Sequence, residues 1–137
     1  MKKYLRSLAV LGALLTPIVA LAVASPPASA ATDLGNCQLH DYTPYSVGGG
    51  SYLAHGAIDS CPKNEVLEIE VCMTQLLSNG WNVIGSSCYT EYYPSARGIN
   101  STSTPVFLVH GRWYESITWG YANGNSKWFQ IGPGVLG

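Results

Sequence analysis

The sequence has little positive charge. It holds only seven lysines and arginines among 137 residues, and three of these lie within the first six positions. The rest of the chain carries four scattered cations, against all eight acidic residues. So few cations cannot neutralise a phosphate backbone or an anionic lipid surface. Nucleic acid and membrane are therefore not expected as main partners.

Motifs for catalysis are also missing. The chain contains no G-x-S-x-G, no C-x-x-C and no P-loop, since Gly48-Gly49-Gly50-Ser51 precedes a predicted strand and lacks the lysine. His40, His55 and His110 have no partner at metal-ligand spacing, so exposed or hydrogen-bonded imidazoles are expected. No cofactor and no metal is expected.

Residues 1–30 have the pattern of a secretory signal peptide. The three early cations precede an uncharged stretch from Leu8 to Ala24, and Ala28-Ser29-Ala30 offers small residues for cleavage. A membrane anchor is the alternative, but Pro17 interrupts the apolar run. Removing these 30 residues from the 137 leaves about 107, which predicts one secreted, extracellular domain over 31–137 without stable membrane anchoring.

Four cysteines follow the signal: Cys37, Cys61, Cys72 and Cys88. In an oxidising compartment an even count indicates two disulfides, with three possible connectivities. Pairing of neighbours, Cys37 with Cys61 and Cys72 with Cys88, closes two loops of modest length. We expect this pairing.

The segment from Val66 to Leu77 alternates as a half-buried strand. Leu67, Ile69, Val71 and Met73 share one face. Turn residues at Ser78-Asn79-Gly80 then predict a β-hairpin. A three-residue loop centred on Gly80 would set Cys72 directly opposite Cys88, at a separation that suits a disulfide.

A second hairpin is predicted near the C-terminus. Alternating residues from Trp113 to Tyr121 precede a turn at Asn123-Gly124, and the chain returns through Lys127 to Ile131. In this register Trp119 faces Trp128. A packing pair is the expected role of these indoles, and stacking on a sugar or a partner is the alternative.

The fold class follows from the short strands and frequent turns. Further strands are expected at Cys37–Tyr42, Tyr52–Asp59 and Val106–His110, about seven in all. This pattern predicts an all-β, antiparallel sandwich of immunoglobulin-like type. A small β-barrel is the alternative.

Two segments have the composition of binding loops. Residues 43–52 and 89–98 combine tyrosine with serine, glycine and one arginine, as antibody paratopes do. Pro94 is expected to end the preceding strand and leave 92–99 as an exposed loop anchored by Arg97. The candidate partner-binding residues are Tyr45, Tyr52, Tyr92, Tyr93 and Arg97.

Glu68 and Glu70 lie two residues apart on the predicted hairpin. Two carboxylates suggest glycoside hydrolysis, but a glycosidase places its acid and base on different elements of a deep cleft. Alternating glutamates on a strand are typical of its solvent-facing side. We therefore expect these side chains to face solvent, and no catalytic residue is assigned.

The Ala-rich export signal, the four cysteines, Gly111-Arg112-Trp113-Tyr114 and Trp119-Gly120-Tyr121 together resemble the small secreted two-disulfide β-sandwich proteins of actinobacteria. The Trp-Arg-Tyr signature of their α-amylase inhibitors is absent, and the cysteine spacing differs from that of enediyne-carrying apoproteins. A looser likeness is to the adaptor subunit of umbrella toxin particles. The resemblance implies fold and export more than an activity.

These features together favour a noncatalytic protein-interaction module with an extracellular protein partner. It would act as an inhibitor of an extracellular hydrolase or as an adaptor in a secreted assembly or toxin. A carbohydrate-binding module using Trp113, Trp119 and Trp128 is the second possibility, and a small secreted hydrolase is the third.

Overall fold

The computed structural model describes residues 29–130 and 134–137. The first 28 residues of the predicted signal peptide and Ile131 of the predicted last hairpin lie outside this part. Within it the chain forms strands and one 3₁₀ turn, Gly85–Ser87. No helix in these two ranges is long and apolar enough to span a membrane. The strands are β1 (Ser29–Leu34), β2 (Cys37–Gly48), β3 (Ser51–Asp59), β4 (Glu65–Leu77), β5 (Gly80–Val83), β6 (Tyr89–Ala96), β7 (Ile99–Thr102), β8 (Val106–Phe107), β9 (Trp113–Ala122), β10 (Asn125–Gln130) and β11 (Val135–Leu136).

The strands form two antiparallel sheets, so the predicted sandwich is confirmed. Sheet A has the order β1-β2-β3-β7, with β8 also paired to β3. Sheet B has the order β10-β9-β4-β5, with β6 also paired to β4 and β11 to β9. In the described ranges β6 has β4 as its one neighbour in the sheet, so it is an edge strand.

The core lies between the sheets and follows the predicted alternation of β4. Leu67, Ile69, Val71 and Met73 are all fully buried. Two glycines let the sheets approach closely, because a Cβ on Gly56 would overlap the Thr118 side chain and one on Gly120 would lie 2.6 Å from a Leu39 methyl group.

A buried polar cluster also joins the two sheets. Asp41 of β2 accepts hydrogen bonds at one carboxylate oxygen from Ser116 Oγ at 2.6 Å and from Thr118 Oγ1 at 2.7 Å. All three side chains are fully buried, so these bonds offset the cost of removing the carboxylate from water. The cluster fixes β2 over β9.

Both predicted disulfides are confirmed, with Cα separations of 4.3 Å for Cys37–Cys61 and 4.2 Å for Cys72–Cys88. Each joins residues within or beside one sheet rather than linking the two sheets. The disulfides indicate folding in an oxidising environment.

The predicted register at the first hairpin is wrong. Leu77 pairs with Gly80, so the turn has two residues rather than three centred on Gly80. The 3₁₀ turn Gly85–Ser87 then supplies three extra residues between β5 and β6. These shift the register, and Val71 comes to lie opposite Tyr89, which sets Cys72 beside Cys88.

Both predicted binding loops are instead paired strands. Residues 43–52 form the outer part of the β2–β3 hairpin, which turns at Gly49 and Gly50 with φ of +60° and +79°. Pro94 does not end its strand, because it lies in an edge strand where the register shifts between Glu65 and Leu67, and a bulge tolerates the missing N–H. The expected loop 92–99 is therefore mostly strand, and β7 follows it at Ile99.

The predicted strand Val106–His110 is shorter than expected. Only Val106–Phe107 is strand, paired with the start of β3. The chain then turns, with Arg112 N–H donating to Val109 O at 3.2 Å and Gly111 at a φ of +80°. His110 lies exposed in this turn.

Candidate functional site

The part of the chain that the structure describes encloses no cavity or cleft. Any ligand of these residues must therefore bind to a sheet face, a strand edge or a hairpin tip. Three such surfaces carry the aromatic and charged side chains: the edge strand β6, the outer face of sheet B and the outer face of sheet A.

The edge strand β6 presents tyrosines on both of its faces. Tyr92 lies opposite Glu68 on the outer face of sheet B and is 59% exposed. Tyr93 lies opposite the buried Leu67, so its side chain points to the other face, yet it is 44% exposed. The other sheet thus leaves this edge uncovered.

Arg97 follows β6, and its guanidinium is held by the backbone. Its Nη2 donates to Pro62 O at 2.7 Å and its Nε donates to Cys61 O at 3.4 Å. These bonds tie the end of β6 to the segment after β3. The side chain is exposed, but part of its donor capacity is occupied within the protein.

The other two predicted partner-binding residues lie on the β2–β3 hairpin. Tyr45 is exposed near the hairpin tip, whereas Tyr52 is half-buried and packs against the core. Tyr52 is nine residues along the chain from Cys61, a span of about 30 Å for an extended strand. Arg97 is bonded to the Cys61 end of this span, so Tyr52 and Arg97 lie at opposite ends of β3.

The outer face of sheet B brings Trp119 and Trp128 together in the predicted register. Their ring centroids lie 6.5 Å apart, and Trp119 also stacks beside Tyr121 at 6.4 Å. The pair is not in the core, since Trp128 is 51% exposed and Trp119 is half-buried. Trp113 shares this face but lies six residues along β9 from Trp119, about 20 Å away.

Glu68 and Glu70 face outward on β4 beside these aromatic side chains. Glu68 pairs with Tyr121 and Glu70 pairs with Trp119 across the strands. Thr90 Oγ1 donates to Glu70 Oε2 at 3.0 Å. Both glutamates are half-buried on a flat surface, and no cleft of the described residues separates them as a glycosidase mechanism requires.

Glu115 lies on the same face, two residues from Ile117 along β9. Partial burial raises the pKa of its carboxyl, and the hydrogen bond that Gln130 Nε2 donates to Glu115 Oε2 at 2.8 Å partly opposes this. Gln130 also donates to Thr74 Oγ1 at 3.1 Å. The amide of Gln130 is therefore engaged within the protein.

The outer face of sheet A brings together two of the three histidines. Tyr42 stacks on His55 at 4.4 Å between ring centroids, and His40 stacks on Tyr42 at 6.0 Å. The rings of Tyr45 and His55 meet in an edge-to-face arrangement, with their centroids 6.4 Å apart. We call His40, Tyr42 and His55 the ring ladder. His110 lies in the turn after β8.

Burial shifts the pKa values of two of these rings, His55 and Tyr42. It lowers the pKa of His55, which favours the neutral imidazole. It also raises the pKa of Tyr42, and the charge of Asp59 raises it further. Asp59 Oδ1 lies 3.1 Å from His40 Nε2, so a charged His40 would have an ion-pair partner.

One group of potential metal ligands lies on sheet B. Glu70, Cys72 and Cys88 place one donor atom each within 4.8 Å of one another. Both sulfurs belong to the Cys72–Cys88 disulfide, so neither is a thiolate. One carboxylate remains, which is too few donors for a transition-metal site.

Sequence reasoning missed two features of these surfaces. The strand β6 was missed because a proline usually ends a strand. The alternation of Ser116 and Thr118 with Ile117 and Trp119 indicates that the two hydroxyls face inward. Their partner Asp41 has no local signal, since it lies 75 and 77 residues away along the chain.

Comparison of the chain with family models, with curated proteins and with solved structures gives no match.

Proposed function

We propose that this chain is a secreted, noncatalytic protein-interaction module that docks an extracellular partner along the edge strand β6. The supporting observation is that Tyr92 and Tyr93 are exposed on opposite faces of a strand with one open edge. Tyrosine supplies large contact area at low entropic cost and is common among residues that dominate binding energy.

The backbone of β6 adds a second means of attachment. On an open edge, alternate residues direct unpaired N–H and C=O groups away from the sheet, and a partner segment can pair with them as an added strand. Pro94 cannot donate to such a strand, so docking is confined to the segment from Tyr89 to Tyr93. Pro94 and the bulge beside it also limit uncontrolled pairing.

We propose a different role for Arg97 from the one that the sequence predicted. Because it donates to the Cys61 and Pro62 carbonyls, it holds the end of β6 in place. In this proposal Tyr92 and Tyr93 are the main anchors. Replacing Arg97 with alanine should cost about 1 kcal/mol of stability through the lost hydrogen bonds, with a smaller effect on binding than the tyrosines have.

The test is capture of partners from culture supernatant on the immobilised mature protein, followed by affinity measurement with the purified partner. Tyr92→Ser and Tyr93→Ser should each weaken binding by about 30-fold, or about 2 kcal/mol. Tyr45→Ser, at a comparably exposed tyrosine of the β2–β3 hairpin, is the matched control and should leave affinity unchanged. The proposal is wrong if both β6 variants bind normally, or if Tyr45→Ser weakens binding as much as they do.

A further inference from the structure

Three aromatic side chains of β9 and β10 form one patch on the outer face of sheet B. We call Trp119, Tyr121 and Trp128 the aromatic platform. Neighbouring ring centroids lie 6.4 and 6.5 Å apart, and the Trp119 and Tyr121 rings are within 23° of parallel. Trp128 is more than half exposed, so ring surface remains open to a ligand.

Carboxylates border the platform on the side of β4. Glu70 lies directly across from Trp119 and Glu68 directly across from Tyr121. Glu70 accepts one hydrogen bond, from Thr90, and a carboxylate accepts several. No lysine or arginine side chain within residues 29–130 and 134–137 forms a salt bridge with either glutamate.

The two features match the two surfaces of a pyranose ring. A sugar ring presents an apolar face of C–H groups, which stacks on indole and phenol rings, and a rim of hydroxyl groups, which donate hydrogen bonds to carboxylates. The platform lies on an outer sheet face outside any pocket, so nothing among the described residues limits the ligand to a single sugar ring.

The negative charge of this face restricts the class of glycan that can bind. Glu68, Glu70 and Glu115 all lie on it, and Lys127 of β10 instead donates to Asp33 O and Thr32 Oγ1 of sheet A. Uronic-acid and sulfated glycans would be repelled. We propose that the aromatic platform binds neutral glycan chains, with Trp128 and Trp119 stacking on the rings and Glu70 accepting hydroxyl hydrogens.

This site goes beyond the proposed protein docking. Trp128 is the platform residue farthest from β6, with β9 and β4 between them, whereas Glu70 accepts a hydrogen bond from Thr90 of β6. Trp128 is therefore the residue that distinguishes the two sites. A peptide ligand of the same face is the competing outcome, because exposed aromatic residues also bind proteins.

The test is titration calorimetry of the disulfide-intact mature protein with the hexasaccharides of β-1,4-linked glucose and N-acetylglucosamine, and with polygalacturonate. At least one hexasaccharide should bind saturably, and polygalacturonate should not bind. Trp128→Ala should weaken binding at least tenfold and Glu70→Ala at least threefold. Trp113→Ala, which removes an exposed indole about 20 Å along the same strand, is the matched control and should stay within twofold.

Near-ultraviolet circular dichroism checks that each variant is folded, and Tyr92→Ser should bind glycan normally. The proposal is overturned if neither hexasaccharide binds, if Trp128→Ala binds as the parent does, or if polygalacturonate binds equally well. It is also overturned if the platform variants lose a captured protein partner while both hexasaccharides are inert.

Discussion

The aromatic side chains of the two outer faces differ in what their rings contact. On sheet A the rings of the ladder cover each other, with Tyr42 and His55 only 4.4 Å apart and nearly parallel. On sheet B neighbouring rings are at least 6.4 Å apart and Trp128 is 51% exposed. Aromatic content alone therefore does not indicate a binding face. A ring contributes to binding where the protein itself does not already cover it.

The two faces also differ in their charged partners. The ladder has Asp59 beside His40, so a positive charge there is matched within the protein. The aromatic platform has Glu68 and Glu70 beside it with no cation paired to them in the described ranges. We expect the sheet A face to contribute to folding stability and the sheet B face to contribute to binding.

The first prediction concerns the cluster that the two sheets share. Asp41→Ala removes the acceptor for the buried hydroxyls of Ser116 and Thr118 and should lower the free energy of unfolding by about 3 kcal/mol. Both outer faces should lose order together, as seen by urea unfolding followed with tryptophan fluorescence and near-ultraviolet circular dichroism.

The matched control for this change is Asp33→Ala, at an exposed aspartate of β1, which should change stability by less than about 0.5 kcal/mol. Equal stability of the Asp41 and Asp33 variants would mean that the cluster does not hold the sheets together. The two sheets would then have to be held together by the apolar core alone.

The second prediction compares one aromatic residue from each face. Tyr42→Leu loses the stacking on His55 and should cost about 1 kcal/mol of stability. Trp128→Leu removes a largely exposed ring and should cost less than about 0.5 kcal/mol. Urea midpoints of the two variants measure the difference. A larger loss for Trp128→Leu would reverse the assignment of a stabilising face and a binding face.

The third and smallest effect is the loss of folding stability in acid that comes from His55. Burial holds the pKa of His55 below the ordinary value of about 6.5, so the unfolded chain takes up a proton before the folded chain does. Stability from this group is complete above pH 6.5 and falls as the pH drops below it. His55→Phe keeps a ring against Tyr42 and cannot titrate.

The His55→Phe variant should consequently lose less stability than the parent protein between pH 7 and pH 5, measured as the shift in urea midpoint. An identical shift for both proteins would show that His55 does not carry the acid sensitivity. His110→Phe, in the exposed turn after β8, serves as the control and should behave as the parent does.

Several structural features could be predicted because they depend on local patterns. The buried face of β4 follows from alternation of Leu67, Ile69 and Val71, and the Trp119–Trp128 pairing follows from the Asn123-Gly124 turn. The disulfide pairing was also predicted, but the hairpin register used to support it was wrong by the three residues of the 3₁₀ turn.

The candidate surfaces were predicted less well. Composition identified Tyr92 and Tyr93 but assigned them to a loop, because a proline ends most strands and the sequence does not show that this one lies on an edge with a bulge. It also grouped Trp113 with Trp119 and Trp128, although the length of β9 keeps them apart.

Local patterns were enough to predict which residues alternate and where the chain turns, since both depend on neighbours a few residues apart. The open edge of β6, the hydrogen bonds of Asp41 with Ser116 and Thr118, and the exposure of Trp128 beside Trp119 depend instead on the tertiary structure. Such features depend on which distant strands become neighbours. The alternation within a strand, which has a period of two, carries no information about that choice.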